Sequence, residues 1–421
     1  MYKVDNYING KSCSISTESS LIINPSYGRE IGEVHYATAE SANLAVESAY
    51  QAAKSWSKTG LTFRAELILK FRQGVIDRSS EIIDICINEA GKTKPDAEAE
   101  LDRAVQALTH VAGVQHFYPT HFSQNVAGGI DIADLRFPIG VVAGVGPFNF
   151  PILIPILHSA MALVTGNTYI AKPSEKVPSI SRLYADIYED IGLPDGCFNV
   201  INGGKEIVEQ LVRHEKVNGL AFIGSTVAAK SLKILGVEHN TKVQALGGGK
   251  NHMIVLPDAD LDMSADAAVS ASFGAAGQRC MAVSVVVAVG DIADELLDKI
   301  KERMPSLVMG VTDDDETQLG PVISQENKDK IYSFIDTAEP DGATLVVDGR
   351  IRSNSLEGCF VGPTLIDNVK PGMAVYENEI FGPVLSFVRA ETYDHAMEIT
   401  HSHNLGNGAA LFTRDGGVAK K

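Results

Sequence analysis

One cysteine in the sequence stands where a nucleophile could act. Cys280 closes the segment Phe273–Cys280, at the end of an apolar helical stretch and after Gly277. A cysteine thiolate is a strong nucleophile, and the neighbouring guanidinium of Arg279 would favour that charged form. The alternative is a small buried core residue, because free cysteines are often found in cores. Taken alone, this residue is compatible with covalent catalysis and with packing.

A second candidate group is the side-chain amide of Asn149. It lies in Gly146–Pro151, directly after the apolar, β-branched strand predicted at Ile139–Val145. Such an amide can donate a hydrogen bond to an oxygen that gains negative charge when a carbonyl is attacked. The alternative is an asparagine that serves only the geometry of the turn.

Two further motifs follow predicted strands. Lys172 and Glu175 can hold the two hydroxyls of a ribose, or they can form a surface ion pair at a helix start. Gly224 permits close approach of a ligand, and the helix that begins after Ser225 would attract a pyrophosphate at its N-terminus. The alternative for Ser225 or Thr226 is a simple helix cap.

A fifth motif lies near the C-terminal end of the chain. Glu379 can bind a second ribose, and Phe381 can form a wall beside a planar ring. The alternative is a turn bounded by Gly382 and Pro383.

The elements that must position these residues are predicted from periodicity. Residues 40–118 show mainly helical spacing of apolar positions, and strands alternate with helices from residue 139. This alternation predicts a doubly wound parallel sheet, whose ligands bind beyond the carboxyl ends of its strands. A second α/β section follows residue 250, and we expect a cleft between the two. The main predicted elements are helices at Ala42–Ser57, Thr62–Ser79, Glu81–Gly91, Asp96–Val111, Ile152–Val164, Ile180–Ile191, Lys205–Arg213, Thr226–Leu235, Ala265–Ala276 and Ala293–Arg303, and strands at Thr168–Ala171, Phe198–Ile201, Gly219–Ile223, Lys242–Ala245, Val283–Val289, Thr344–Val347 and Val384–Phe387.

The usual dinucleotide fingerprint is missing from this pattern. Gly144 and Gly146 are followed by Asn149 where GxGxxG would have its third glycine. The prediction of a nucleotide-binding sheet therefore depends on the alternation of strands and helices.

Composition excludes several other classes of function. The net charge of −17 disfavours nucleic acid and anionic membranes as partners. The apolar stretch Pro151–Val164 is too short and too broken to cross a bilayer.

Five scattered cysteines without CxxC or Cys/His spacing indicate neither a disulfide framework nor a metal site, and they suit a reducing compartment. We therefore expect a cytoplasmic protein.

Six motifs together resemble the aldehyde dehydrogenase superfamily. They occur in the order and at the intervals of that family, and the resemblance covers essentially the whole chain. The motifs are PFNFP at 147–151, KPSE at 172–175, FIGST at 222–226, LGGGKN at 246–251, GQRC at 277–280 and EIFGPV at 379–384.

The resemblance implies a role for each candidate. Cys280 attacks the aldehyde carbon, and the Asn149 amide and the Cys280 backbone N–H stabilise the oxyanion. Hydride passes from the thiohemiacetal to the nicotinamide, which leaves a thioester on the cysteine. A carboxylate at Glu175 would repel a 2′-phosphate, so the implied cofactor is NAD rather than NADP. The cofactor-binding residues implied in this way are Phe148, Lys172, Glu175, Gly224, Ser225, Glu379 and Phe381.

One position departs from the pattern of the hydrolytic members. They carry a glutamate that activates the deacylating water, and Leu246 occupies that place here. Methylmalonate-semialdehyde dehydrogenases, which acylate coenzyme A, also lack the glutamate. The segments Val243–His252, Ile254–Asp260, Arg279–Ala282 and Gly406–Ala410 are similar to that branch. The resemblance therefore implies coenzyme A as co-substrate.

The substrate of that branch carries a carboxylate. Arg279 can bind a carboxylate in a two-pronged manner, and Arg103, on a predicted helix, matches a second arginine of the branch. The alternatives are a structural ion pair for Arg279 and an exposed pairing with Asp102 or Glu100 for Arg103.

Other positions differ from the branch. Ala104 replaces a usual glycine, Gln278 replaces a usual glutamate, and 152–160 lacks the bulky residues that line the family's substrate tunnel.

Family members continue beyond the point that corresponds to Lys421, with the rest of the catalytic domain and a strand of the oligomerisation sheet. The sequence is thus expected to be a fragment, with residues 122–138 as an unpaired part of that sheet.

The resulting prediction is an aldehyde dehydrogenase fold with three parts. They are an NAD-binding domain (1–119 and 139–250), a bridging β segment (120–138) and a catalytic domain (251–421). The predicted activity is CoA-acylating oxidation of malonate or methylmalonate semialdehyde by a homodimer or homotetramer. The rivals are a hydrolytic dehydrogenase of another small aldehyde and a truncated relative that only binds nucleotide.

Overall fold

The structure is a computed structural model that describes residues 1–16, 18–118, 120–353 and 355–421. Its strands are β1 (Tyr2–Val4), β2 (Asn6–Ile8), β3 (Lys11–Cys13), β4 (Ser19–Asn24), β5 (Arg29–His35), β6 (Phe122–Ala127), β7 (Ile130–Ala133), β8 (Val141–Val145), β9 (Thr168–Lys172), β10 (Phe198–Val200), β11 (Val217–Ile223), β12 (Lys242–Leu246), β13 (Asn251–Val255), β14 (Val283–Val289), β15 (Thr344–Val347), β16 (Thr364–Asp367), β17 (Val384–Ala390) and β18 (Ala409–Phe412). Its helices are α1 (Ala39–Trp56), α2 (Leu61–Asp77), α3 (Ser79–Ala90), α4 (Lys94–Ala112), α5 (Val114–Phe117), α6 (Leu153–Val164), α7 (Ser179–Asp190), α8 (Lys205–Arg213), α9 (Thr226–Glu238), α10 (Leu261–Phe273), α11 (Ala293–Arg303), α12 (Gln325–Ala338), α13 (Gly349–Ser353), α14 (Ala374–Glu377) and α15 (Tyr393–Ser402).

The chain forms two compact units. The first unit comprises Met1–Ile22, Glu30–Ala90 and Ala97–Gly247, and the second comprises Ile23–Arg29, Gly91–Asp96 and Gly248–Lys421. The assignment of cofactor binding and catalysis to separate domains stays a prediction.

A seven-stranded sheet, counted over the described residues, organises the first unit. Its order is β12-β11-β8-β9-β10-β2-β3. The strands from β8 to β12 pair in parallel, and β2 and β3 extend the sheet in antiparallel fashion. Parallel pairing through crossover helices places the carboxyl ends of β8, β9, β11 and β12 at one edge.

A six-stranded sheet organises the described part of the second unit, in the order β15-β16-β17-β14-β13-β18. Its central strand β14 is a run of mainly Val and Ala in which successive side chains point to opposite faces. Val285 and Val287 join one buried cluster, and Val286 and Ala288 join another. Both faces of the sheet are therefore covered, as in other mainly parallel sheets.

The hairpin formed by β6 and β7 has no buried face. Every residue of both strands is exposed, including Phe122, Val126, Ile130 and Ile132. Alternating apolar residues predicted a β segment here, and the strands are paired only with each other among the described residues.

Several elements differ from the sequence prediction. The helix predicted at Ala265–Ala276 ends at Phe273, because Ala275 and Ala276 adopt left-handed backbone angles with φ of 51° and 53°. The five N-terminal strands were not predicted, since strands of three to seven residues carry little periodic signal. The elements α12, α13, α14, α15, β13, β16 and β18 were not predicted either.

In the portion of the chain that the structure describes, no helix is both long enough and apolar enough to span a membrane. Within the same ranges, no group of three or more His, Cys, Asp or Glu side chains is placed to hold a metal ion.

Candidate active site

In the first unit, the candidate residues follow the carboxyl ends of neighbouring parallel strands. Phe148 and Asn149 follow β8, Lys172 ends β9, and Ser225 follows β11. Because β11, β8 and β9 are adjacent and parallel, these residues meet at one edge of the sheet. The doubly wound topology thus groups residues that are distant in sequence, at the edge where such sheets bind ligands.

The turn that carries Asn149 is held by a buried carboxylate. Glu100 of α4 is 3% exposed, and its Oε1 accepts hydrogen bonds from the backbone N–H groups of Ile152 and Leu153, both at 2.8 Å. A carboxylate at a helix N-terminus satisfies N–H groups that have no partner within the helix. Glu100 therefore fixes the start of α6 just beyond Asn149, which is itself buried.

Lys172 and Glu175 form an ion pair of 3.5 Å between Nζ and Oε2. Lys172 is buried, and desolvation lowers the pKa of its ammonium group, while Glu175 raises it. The two charged groups lie side by side, so they could bind adjacent hydroxyls of one ribose, the lysine as donor and the carboxylate as acceptor. The ion pair considered from the sequence therefore forms, but it is only partly at the surface, because Glu175 is accessible and Lys172 is not.

Gly224 and Ser225 each have a local structural role. A Cβ on Gly224 would lie 2.6 Å from the ring of Phe222, so a larger residue here would force that ring to move. Ser225 is the N-cap of α9, and its Oγ accepts from the Ala228 N–H at 3.3 Å. The helix therefore begins where the sequence placed a pyrophosphate, and the N-terminus of a helix attracts such an anion.

In the second unit, the nucleophile candidate shares one cavity with the other candidates. Cys280, Arg279, Glu379 and Phe381 all line it, and the backbone of Gly249 contributes to its wall. The structure therefore brings these four predicted site residues together, although the two pairs lie far apart in the chain.

A left-handed turn delivers Cys280 to this cavity. Ala275, Ala276 and Gly277 have φ of 51°, 53° and 68°, a conformation that costs an alanine roughly 1–2 kcal/mol. Gln278 secures the turn because its buried side chain accepts from the Ile323 N–H at 2.9 Å. The strain at this turn is of the kind that accumulates where a side chain must be presented accurately.

The thiol of Cys280 is in a mixed environment. Burial raises its pKa above the usual range, and the charge of Glu379 acts in the same direction. Hydrogen bonds from its own N–H, from Met281 N–H and from the Asn407 amide oppose that rise in pKa. Donors are thus already placed to stabilise a thiolate when a proton acceptor or a bound ligand favours loss of the thiol proton.

Glu379 is anchored by the loop that precedes β13. Its Oε1 accepts from the Gly249 N–H at 3.1 Å, and burial raises the pKa of the carboxyl group. The adjacent Lys250 is buried, and its ammonium group donates to the carbonyls of Val375 and Asn378 at 2.8 and 2.7 Å. The segment that carries Glu379 is therefore fixed by two neighbouring residues, while the remaining oxygen lone pairs of the carboxylate can accept from ligand hydroxyls.

Phe381 follows in a left-handed conformation with φ of 59°. A bulky residue with positive φ is rare outside turns and functional sites. The backbone angle directs the ring as part of the cavity wall, in agreement with a role beside a planar group.

The two arginines have different surroundings. The guanidinium of Arg279 forms an ion pair with Asp96, and its side chain remains 36% exposed. Arg103 is exposed on α4 and donates to Gln106 Oε1 at 3.4 Å. The ion pair is the structural alternative foreseen for Arg279, and the pairing of Arg103 with Asp102 or Glu100 is replaced by the contact with Gln106.

Leu246 ends β12 and is 52% exposed. Its carboxyl-end position places it at the same sheet edge as Asn149 and Ser225, since β12 pairs in parallel with β11. A leucine there offers no proton acceptor.

Sequence reasoning did not identify Glu100 or Lys250 as parts of the site. Both are buried charged residues, at 3% and 1% exposure, and Lys250 lies in the LGGGKN motif, whereas Glu100 lies three residues before Arg103. A charged residue at a position that helical periodicity assigns to the buried face could have indicated Glu100.

Comparisons with known proteins match this arrangement. The family model for the aldehyde dehydrogenase family matches residues 14–421. A malonate-semialdehyde dehydrogenase of Halalkalibacterium halodurans is 37% identical, over 100% of this chain and 87% of that protein. The crystal structure of methylmalonate-semialdehyde dehydrogenase from Oceanimonas doudoroffii has a TM-score of 0.97 at 39% identity, covering 100% of this chain and 87% of that one.

A second solved structure carries a cofactor. It is of a protein assigned as methylmalonate-semialdehyde dehydrogenase from Sinorhizobium meliloti 1021, complexed with NAD, with a TM-score of 0.96 and 40% identity over 100% of this chain and 86% of that one. These structures confirm the predicted fold. The chain belongs to the aldehyde dehydrogenase family.

Proposed function

We propose that this chain is an NAD-dependent semialdehyde dehydrogenase that transfers the acyl group of malonate or methylmalonate semialdehyde to coenzyme A. The names of its relatives at 37–40% identity support the substrate class. The single observation that supports coenzyme A over water is Leu246, which stands where hydrolytic family members carry a carboxylate base. Without that base, water is a poor acceptor for the thioester, whereas a thiol is a better nucleophile at neutral pH.

The proposed steps use groups of this chain. The Cys280 thiolate forms a bond to the aldehyde carbon, and the carbonyl oxygen becomes an oxyanion that accepts from the Asn149 amide and the Cys280 N–H. Loss of hydride from that carbon restores the carbonyl as a thioester. The coenzyme A thiolate then attacks, the bond to Cys280 breaks, and the cysteine leaves as a thiolate.

NAD, when bound, would supply the hydride acceptor. We assign the adenosine ribose to Lys172 and Glu175, because a donor and an acceptor lie together there, 3.5 Å apart. The pyrophosphate is assigned to the start of α9 at Ser225, and the second ribose to Glu379, whose carboxylate is anchored by Gly249.

Recognition of the substrate carboxylate is assigned to Arg279 and Arg103. Arg279 already binds Asp96, so a second carboxylate would have to use the remaining donors of its guanidinium. Replacement of Arg279 by Lys should raise KM for malonate semialdehyde by about tenfold or more, since the two-pronged geometry is lost. The KM for propionaldehyde, which has the same chain length without the carboxylate, should change little.

The test of the proposed activity is a panel of aldehydes with and without coenzyme A, followed by NADH absorbance and by mass spectrometry of the products. We expect acyl-CoA as the main product and slow turnover when coenzyme A is omitted. Carboxylic acid formed at full rate without coenzyme A would establish the hydrolytic alternative. Absence of NADH with every aldehyde would leave only the nucleotide-binding alternative.

A cytoplasmic location and a homo-oligomeric state are further proposals. The exposed apolar side chains of the β6–β7 hairpin support self-association. Light scattering of the parent and of Ile132→Asp would test it, and an unchanged monomer in both cases would contradict it.

A further inference from the structure

Two asparagines hold the same backbone oxygen of the nucleophile. The side-chain amide of Asn251 donates to the Cys280 carbonyl at 2.9 Å, and that of Asn407 donates to it at 2.8 Å. Asn251 belongs to the start of β13, and Asn407 lies just before β18. A carbonyl that accepts two side-chain amides is fixed in orientation from two directions.

The first asparagine is part of a rigid framework. Asn251 is 4% exposed, its amide also donates to the Ala282 carbonyl at 2.7 Å, and its Oδ1 accepts from the Gly408 N–H at 2.8 Å. The buried Asn251 side chain therefore links β13 to Cys280, to Ala282 and to the segment that carries Asn407.

The second asparagine is held in an unfavourable backbone conformation. Asn407 has a φ of 113°, which L residues rarely adopt. Asn407 is exposed, and the Gly249 backbone approaches it so closely that a Cβ on Gly249 would lie 2.8 Å from the Asn407 Cβ. The Lys250 N–H also binds the Gly406 carbonyl at 2.8 Å. The neighbouring backbone is thus anchored to the loop before β13, and the Asn407 amide is directed toward Cys280.

The amide of Asn407 also influences the protonation of the thiol. Its hydrogen bond acts to lower the pKa of the Cys280 thiol, although burial, the largest influence, raises that pKa. An amide NH2 group has two protons, so it can bind the carbonyl and the sulfur of one cysteine at the same time.

We propose that Asn407 is a positioning residue that, together with Asn251, fixes the Cys280 carbonyl and so holds the thiol in its cavity. The proposal rests on the proposed function, which makes Cys280 the nucleophile. It identifies Asn407, which lies just before the edge strand β18, as a specific hydrogen-bond donor to the residue that attacks the aldehyde.

The test is the pH dependence of Cys280 alkylation by iodoacetamide, followed by mass spectrometry of the Cys280 peptide. Asn407→Ala and Asn407→Gly both remove the amide, but only glycine accepts the positive φ of this position without strain. Both variants should move the alkylation midpoint up by about one pH unit and lower kcat about tenfold, the loss expected for one hydrogen bond to a charged group. Asn404→Ala, an exposed change in the same segment, is the matched control and should follow the parent.

Two results would overturn the inference. One is an unchanged alkylation profile in both Asn407 variants. The other is a normal profile in Asn407→Gly with a shifted one in Asn407→Ala, because the backbone conformation alone would then account for the effect. Cys280→Ser separates this inference from the proposed function: if that variant still produced NADH from aldehyde, the assignment of the nucleophile would fail, whatever the Asn407 variants did.

Discussion

Gly277 packs against Gly382 so closely that no side chain fits between them. A Cβ on Gly277 would lie 2.2 Å from the carbonyl oxygen of Gly382 and 2.5 Å from its carbonyl carbon. Gly277 also has a φ of 68°, in the region that favours glycine. This contact joins the turn before Cys280 to the segment that follows Phe381, and both segments line the same cavity.

Gly277→Ala should therefore disturb the site strongly. The contact is with backbone, which cannot rotate away, so either the turn or the 381–383 segment must move. We expect a loss of at least tenfold in kcat and a destabilisation of about 1–3 kcal/mol, the range typical of overpacking. The measurements are NADH formation with malonate semialdehyde and unfolding by urea.

Gly60→Ala provides the control for that substitution. A Cβ on Gly60 would have no heavy atom within 4 Å, and the residue has an ordinary negative φ of −64°. The variant should behave like the parent protein. Equal activity of the Gly277 and Gly60 variants would show that the close contact is not needed for catalysis.

The contact between Gly277 and Gly382 also illustrates what the sequence could predict. The motifs around Cys280 and Glu379 identified both halves of the cavity, and apolar periodicity predicted α8 and β14 with their observed bounds. The left-handed turn at Ala275–Gly277 was assigned in part to a helix instead, because alanine has strong helical propensity. Tertiary packing against a segment that is distant in the chain overrides that local preference.

Long-range polar contacts were the other part that local patterns missed. Glu100 and Arg279 were each recognised as charged residues, but their partners, the N-terminus of α6 and Asp96, depend on the folded arrangement. No spacing rule connects such residues before the strands are placed. Sequence motifs therefore predicted candidate reactive groups, whereas the structure shows the contacts that position the segments carrying them.

Glu379 should make cofactor binding depend on pH. Burial raises the pKa of its carboxyl group, so the proton is retained to a higher pH than in an exposed glutamate. The carboxylate accepts ribose hydroxyls better than the acid does. KM for NAD should therefore fall as pH rises through the raised pKa, and Glu379→Gln should raise KM and abolish this pH dependence.

Glu377→Gln is the matched control for Glu379. Glu377 lies two residues earlier and accepts from the Gly372 N–H at 2.7 Å, outside the proposed ribose site. Its variant should keep the pH dependence of KM for NAD. A flat profile in the parent protein would remove the basis for assigning the ribose to Glu379.

Leu246→Glu should open a hydrolytic route. The residue is half exposed at the carboxyl end of β12, so a glutamate can be accommodated there without burial of its charge. A base at this position should activate water and raise acid formation without coenzyme A by about a hundredfold, the lower range for general base catalysis. Leu246→Gln, which cannot accept a proton as a base, should show no such gain. An equal rise in both variants would mean that polarity alone, and not base catalysis, admits water.

Glu89 should make the stability of the first unit fall as pH rises. Its buried carboxyl group accepts from the Tyr2 hydroxyl at 2.5 Å and from the Ser179 N–H at 3.3 Å, and burial raises its pKa to about 7. The folded protein thus holds a proton that the unfolded chain releases above its ordinary pKa near 4.5. The stabilisation is complete below that value, decreases as pH rises toward 7, and is lost above it; the total is about 3 kcal/mol.

The comparison that isolates this effect is urea unfolding of the parent and Glu89→Gln between pH 4.5 and 8. Glutamine cannot release a proton, so the difference in unfolding free energy between the two proteins should change across this range in favour of the variant. Glu81→Gln on the same helix is the control, because Glu81 is exposed and pairs only with Arg78 among the described ion pairs. Its difference from the parent should stay nearly constant with pH. A constant difference for Glu89→Gln as well would mean that Glu89 stays charged in the folded protein, with Tyr2 and the Ser179 N–H sufficient to stabilise the buried carboxylate.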